Sequence, residues 1–207
     1  MSEVLRLGMA GLGVASTQIL PPISTLPFIK ITAAADLRTD ALAKFREAYK
    51  GETFTSVEAM CASPNVDAIY VATPNQLHAQ HAITAANHRK HVIVEKPMAL
   101  SIDECEAMNQ AAEKNRVNLL CGHTHSFDPP VRKIREIVKS GELGKLCMIN
   151  TWNYNEFMYR PRMKHELATS RGVVLNQGPH HVDVVRLIGG GMVRSVRAMT
   201  GIWDKAR

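Results

Sequence analysis

The first strand-like run empties into Gly8-Met9-Ala10-Gly11-Leu12-Gly13-Val14-Ala15-Ser16, which fits the spacing G-x-G-x-x-G except that Ser16 takes the third place. In such a pattern Gly11 permits a tight turn and Gly13 lets the backbone come close to a pyrophosphate. The amides and dipole of the helix that follows then meet the negative charge. Ser16 brings a Cβ to the place where helix and strand pack closely, which loosens the fit. Taken alone, these glycines also suit an ordinary turn in any α/β protein. The second run ends in Asp36, 23 residues after Gly13, near the roughly 20 at which an acid holds the ribose hydroxyls of a dinucleotide. Asp36 repels a 2′-phosphate and Arg38 attracts one, so NAD is favoured with NADP left open.

Two further groups follow later strands: Thr73-Pro74-Asn75 and Glu95-Lys96-Pro97. Both fall at the carboxyl edge of a parallel sheet, where ligands of open α/β folds bind. A lysine there can donate to a substrate oxygen and stabilise a developing alkoxide; outside such a site it is a surface lysine beside Glu95 in a turn. The Lys96–Pro97 bond is expected to be cis, as proline in a tight turn at such a site permits.

The elements that must position these groups alternate. Val4–Ala10, Ile29–Ala35, Asp67–Ala72 and His91–Val94 read as buried strands, and Val117–Cys121 closes the sheet. Between them lie helices at Val14–Leu20, stopped by Pro21-Pro22, then Thr39–Tyr49, Val57–Cys61, Leu77–Asn87 and Ile102–Asn115, the last N-capped by Ser101. Alternation of this kind predicts an α/β fold with a doubly wound parallel sheet over residues 1–122. After Gly122 the rhythm changes to a helix near Pro130–Lys139, a turn at Gly141–Gly144, a strand near Leu146–Tyr154, a basic stretch to Gly172, a helix near Asn176–Ile188 and a strand near Val193–Gly201. Residues 123–207 are therefore expected to form a partial second α/β domain with an open sheet. It stops directly after a strand, which reads as a truncated chain.

The chain of 207 residues has 45% hydrophobic and 21% charged residues and a net charge of +6, the composition of a globular protein rather than a disordered or fibrous one. The excess positive charge is spread along the chain, which argues for an anionic small molecule rather than nucleic acid. No apolar window of about 18 residues and no signal peptide stands out, so neither a membrane partner nor secretion is expected and the location is read as cytoplasmic. Cys61, Cys105, Cys121 and Cys147 are irregularly spaced and read as reduced core thiols. His78, His81, His88, His91, His123 and His125 are spaced like metal ligands but lack recurring carboxylate or cysteine partners; no metal is expected.

Together, the glycine turn, Ala35-Asp36, the run Ala72–His78 (A-T-P-N-x-x-H), Glu95–Pro97 and Asn176-Gln177-Gly178-Pro179-His180 resemble the Gfo/Idh/MocA oxidoreductases over essentially the whole chain. The resemblance implies a Rossmann domain followed by a C-terminal α/β domain, and a homo-oligomer in the full-length form. It implies Lys96 and His180 as the catalytic pair with Asn176 beside them. Cofactor contacts are implied at Gly11, Gly13, Val14, Asp36, Arg38, Thr73, Pro74, Asn75, His78, Glu95 and Lys96. The run from Gly172 to Gly191 looks most like the phthalate 4,5-cis-dihydrodiol (4,5-dihydroxyphthalate) dehydrogenase branch. Its members oxidise the dihydrodiol of an aromatic dicarboxylate. A sugar or inositol dehydrogenase is the alternative substrate class, and a non-catalytic NAD-binding fragment the alternative in kind.

Two residues depart from the family pattern. Asn176 stands where aspartate usually precedes the histidine by four; the spacing shares one helical face, but an amide carries no charge to raise an imidazole pKa. Ser126 stands where an arginine often precedes the phenylalanine. Arg160, Arg162 and Lys164 alternate around Pro161 with His165 beside them. An extended backbone aims all three cations one way, toward substrate carboxylates or simply into solvent. His181 is expected to point about 100° away from His180 around their helix.

Overall fold

The computed structural model describes residues 4–152 and 172–199. The described residues form two compact units, the first comprising 4–123 and 172–176 and the second 124–152 and 177–199.

In the first unit six parallel strands form one sheet: β1 (Leu5–Ala10), β2 (Ile29–Ala35), β3 (Glu52–Phe54), β4 (Ala68–Val71), β5 (His91–Val94) and β6 (Leu119–Cys121). Their order is β3-β2-β1-β4-β5-β6, so the chain winds outward from β1 in both directions and leaves a crevice at the carboxyl ends of β1 and β4. The helices are α1 (Val14–Ser24), α2 (Thr39–Tyr49), α3 (Val57–Cys61), α4 (His78–Asn87) and α5 (Ile102–Asn115). Leu7, Met9, Ile31 and Tyr70 pack with Leu20 and Phe45 on one face of the sheet. Ile69, Val71, Val92 and Val94 pack with Met60, Met108 and the small residues Ala79, Ala82 and Ala86 on the other. Strands buried on both faces read as unbroken apolar runs, which is why β1, β4 and β5 look continuous rather than alternating. Each fully buried aliphatic side chain contributes about 1.5–3 kcal/mol.

Local signals explain most boundaries. Ser101 accepts the Glu104 amide while Glu104 reaches back to the cap, a full capping box that starts α5. Helix α1, however, does not stop at Pro21-Pro22 but continues to Ser24. The carbonyls freed by the two prolines belong to Thr17 and Gln18, both on the exposed side, so the missing bonds fall where water serves them. Strand β3 is short and only half-buried, pairing with β2 alone at the sheet edge; nothing in its three residues announces it.

The second unit contains a 3-10 turn at Thr124–Phe127, α6 (Pro129–Ser140) and the larger part of α7 (Gly172–Gly189), which starts four residues before the Asn176 expected from sequence. The strands expected near Leu146–Tyr154 and Val193–Gly201 are not formed over 146–152 and 193–199. A strand persists only as part of a hydrogen-bonded ladder, and among the described residues neither segment has a ladder partner. All four cysteines are free thiols; burial pushes Cys61 up to about 11, which keeps it inert. Cys147 is exposed rather than in a core, because it lies in the unladdered segment. Among the described residues no helix is long and apolar enough to cross a membrane.

Candidate active site

The turn after β1 is built from backbone. Gly11 has φ +91°, and a Cβ there would lie 2.6 Å from the Ala72 carbonyl oxygen and 3.0 Å from the Thr73 amide nitrogen. Only glycine fits so close an approach of two strand ends in a left-handed conformation. Gly13 caps α1 without any side-chain bond, and a Cβ on it would meet nothing within 4 Å. The N-terminus of α1, entered through the exposed Val14 and free of acidic residues in its first turn, is open to an anion. Ser16 does not loosen the turn as expected from its Cβ. It is 0% exposed and its hydroxyl donates to the Gly13 carbonyl at 2.7 Å, so the third position closes on the turn itself.

Asp36 follows β2. Its Oδ2 accepts the Leu12 amide at 2.7 Å, its Oδ1 accepts the Arg38 amide at 2.8 Å, and the Arg38 side chain donates to both carboxylate oxygens. Arg38 Nη2 also donates to the Leu12 carbonyl at 2.8 Å. Burial by itself raises the Asp36 pKa, but the Arg38 side chain and the two amides outweigh it and hold the carboxyl below its ordinary range. A carboxylate fixed beside the glycine turn suits a ribose diol.

Thr73, Pro74 and Asn75 follow β4, and Glu95, Lys96 and Pro97 follow β5. His78 joins the two loops: Nε2 lies 2.8 Å from the Thr73 carbonyl and Nδ1 2.8 Å from the Pro97 carbonyl. At 1% exposure, with each nitrogen 2.8 Å from a carbonyl oxygen, it presents nothing to a ligand. Its expected cofactor contact therefore gives way to a structural role, because the ring is consumed in holding the loops. Thr73 Oγ1 lies 3.0 Å from His81 Nδ1, and burial, then His78, holds the His81 imidazole below its ordinary range. The Lys96–Pro97 bond is cis. Tyr70 donates to Glu95 Oε1 at 2.6 Å, and Glu95 Oε2 accepts the Lys96 amide at 3.1 Å, which leaves the loop little freedom. Burial lowers the Lys96 pKa and the neighbouring Glu95 only partly restores it. Gly11, Gly13, Asp36, Thr73, Glu95 and Lys96 are thus gathered at one edge of one sheet.

In the second unit a cavity of about 590 Å³ is lined by His125, Val131, Thr151, Trp152, Gln177, His180, His181 and Val184. His180 and His125 meet with ring centroids 4.4 Å apart and planes at 83°. His181 lines the same cavity, although one helical step separates it from His180. Asn176 sits on α7 one turn before His180. Arg160, Arg162, Lys164 and His165 lie outside the described residues.

Sequence reading missed Tyr70, hidden as one more apolar residue of a strand, and Trp152 and His125, whose roles depend on neighbours distant in sequence. The histidines of Gly122-His123-Thr124-His125 were the available signal.

A model of the Gfo/Idh/MocA oxidoreductase family's NAD-binding Rossmann fold matches residues 5–123, and one of the GFO/IDH/MocA C-terminal domain matches 131–206. The chain is 39% identical over 206 residues to the 1-carboxy-3-chloro-3,4-dihydroxycyclohexa-1,5-diene dehydrogenase of Comamonas testosteroni, covering 98% of this chain and 52% of that protein. It is 28% identical over 195 residues to the myo-inositol 2-dehydrogenase of Thermotoga maritima, covering 94% and 58%. A crystal structure of a Bordetella bronchiseptica RB50 protein superposes with a TM-score of 0.93 at 38% identity, over 98% of this chain and 54% of that one. The chain spans about half the length of these relatives.

Proposed function

The chain belongs to the Gfo/Idh/MocA oxidoreductase family, and from that premise we propose that it oxidises a cyclic cis-diol bearing a carboxylate, with NAD as hydride acceptor. The observation that carries this reading is the placement of Lys96: half-buried, held by the Tyr70–Glu95 bond, and on the same sheet edge as the open glycine turn. The donor set fits a dinucleotide, since Gly11 and Gly13 bare the backbone at the α1 N-terminus and the Asp36 carboxylate stands beside them. A bound nicotinamide supplies the acceptor for the hydride.

The chain's own residues supply the rest. Lys96, kept in a partly dry loop, donates to the reacting oxygen and stabilises the alkoxide as it develops. The His180 imidazole takes the hydroxyl proton, and Asn176, a turn earlier on α7, orients the substrate without adding charge. Arg160, Arg162, Lys164 and His165 hold the carboxylate. On a cis-dihydrodiol, loss of a hydride from carbon and a proton from oxygen leaves a hydroxyketone that tautomerises to a catechol, so aromatisation draws the reaction forward. The likeness to the Comamonas testosteroni dehydrogenase supports this substrate class over an inositol.

Lys96→Ala in the full-length protein should lower turnover by about 10²-fold while NAD affinity, measured by calorimetry, stays within about threefold. A parent enzyme that oxidises myo-inositol and ignores carboxylated dihydrodiols would transfer the site to the polyol class. Unchanged turnover in the variant would remove Lys96 from the chemistry.

A further inference from the structure

Asp128 precedes α6 as its N-cap, where an acidic side chain ordinarily accepts an amide of the first helical turn. It makes no such bond. Instead its Oδ2 lies 3.1 Å from Nδ1 of His125, three residues earlier. The Asp128 amide donates to the His125 carbonyl at 3.2 Å, and Arg132 lies over the Phe127 ring, 4.9 Å from its centroid, which ties the 3-10 turn to α6. Pro129 and Pro130 leave no amide at the first two helical positions, so the Asp128 carboxylate is available to His125, and an exposed contact of this kind adds little stability. The His125 ring it meets stands perpendicular to His180, with centroids 4.4 Å apart, on the wall of the same cavity.

The torsion that turns an imidazole about its Cβ–Cγ bond has broad wells. A ring that must accept a proton in a defined direction therefore gains from a neighbour that narrows its rotation, since small misplacements at the reacting centre lower rates steeply. We propose that His125 is a positioning residue for His180: Asp128 sets the His125 ring, and that ring, through its perpendicular contact, sets the orientation of His180. The proposal rests on the reading of His180 as proton acceptor.

Three variants of the full-length protein and one spectroscopic measurement test it. His125→Ala should lower kcat by about 10-fold with KM for the diol changed less than about threefold, and should shift the His180 ring signals in nitrogen-15 histidine spectra. His125→Phe, which keeps a ring edge without titratable nitrogens, should restore kcat to within about threefold of the parent. Asp128→Ala should lower kcat to about the level of His125→Phe, since both keep a ring at position 125 and lose the contact that sets it. Parent-like kcat and unshifted His180 signals in His125→Ala, or a His125→Phe as impaired as the alanine variant, would overturn the proposal. A rise in KM with kcat kept would instead make His125 a substrate-binding group and also overturn it. His180→Ala separates the two readings: retained turnover there removes the proton-acceptor role, whereas the spectral shift in His125→Ala reports the ring contact alone.

Discussion

The carboxylate of Asp36 accepts the backbone amide of Leu12 at 2.7 Å, so the residue that would read a ribose also clamps the glycine turn that would hold the pyrophosphate. Arg38 closes the same clamp from outside, bonding both Asp36 and the Leu12 carbonyl. Nucleotide choice is thereby coupled to the shape of the turn. Asp36→Ala should weaken NAD binding by about 10- to 100-fold, the worth of hydrogen bonds to a charged group. NADP affinity should change far less, because the freed Arg38 can turn to a 2′-phosphate. Calorimetric titration with both nucleotides measures the two. A parent protein that prefers NADP would hand the discrimination to Arg38.

The two turn glycines should separate folding from binding. At Gly11 a Cβ would collide with the Ala72 carbonyl at 2.6 Å in a left-handed backbone, so Gly11→Ala should destabilise the first unit by about 2 kcal/mol or more, several degrees in Tm. At Gly13 a Cβ meets nothing within 4 Å, so Gly13→Ala should fold normally and lose NAD affinity, because the added methyl stands where the pyrophosphate approaches. Thermal melts and nucleotide titrations on the pair decide the matter. Intact NAD binding in Gly13→Ala would move the pyrophosphate elsewhere.

The basic stretch should select for charge on the substrate. If Arg160 and Arg162 each fork a carboxylate, either alanine variant should lose roughly 10- to 150-fold in kcat/KM on a carboxylated dihydrodiol and almost nothing on a neutral one. Equal losses on both substrates would mean a folding defect, and no loss would return the stretch to solvent.

Acid should weaken the first unit through Asp67. The Arg6 side chain, bonded to the Asp67 carboxylate from Nε at 2.8 Å, holds its pKa below the ordinary value despite the opposing effect of burial. A carboxyl depressed in the folded state contributes its full stability above about pH 5, one unit over the unfolded value, and loses it as pH falls through the native value. Urea midpoints followed from neutral to acid pH should therefore show Asp67→Asn less stable at neutrality and converging on the parent in acid. A gap independent of pH would mean that packing rather than ionisation is responsible.

Much of the first unit was legible because its signals are local. The boundaries of β2, α2, α3, β5 and α5 agree with the apolar periodicity and with the Ser101 cap, each set by residues within a few positions of one another. Strand β3, the run of α1 through Pro21-Pro22, and the absence of ladders over 146–152 and 193–199 were not legible. In each case the outcome depends on a pairing partner or on which side faces water.

The sequence by itself determined the alternation of strands and helices, the glycine turn, Asp36 at the end of β2, and Lys96 in a loop after a strand, because turn chemistry and hydrophobic period act over one or two turns of chain. Tertiary structure decided what those groups touch. Tyr70 reaches Glu95 across 25 residues, and the His78 ring sits between carbonyls of two separate loops. His125 meets His180 across 55 residues. Such contacts arise from strand order and helix packing, which bring distant residues within van der Waals and hydrogen-bond reach. No spacing along the chain encodes them, because a side chain's neighbours depend on how the whole sheet is wound.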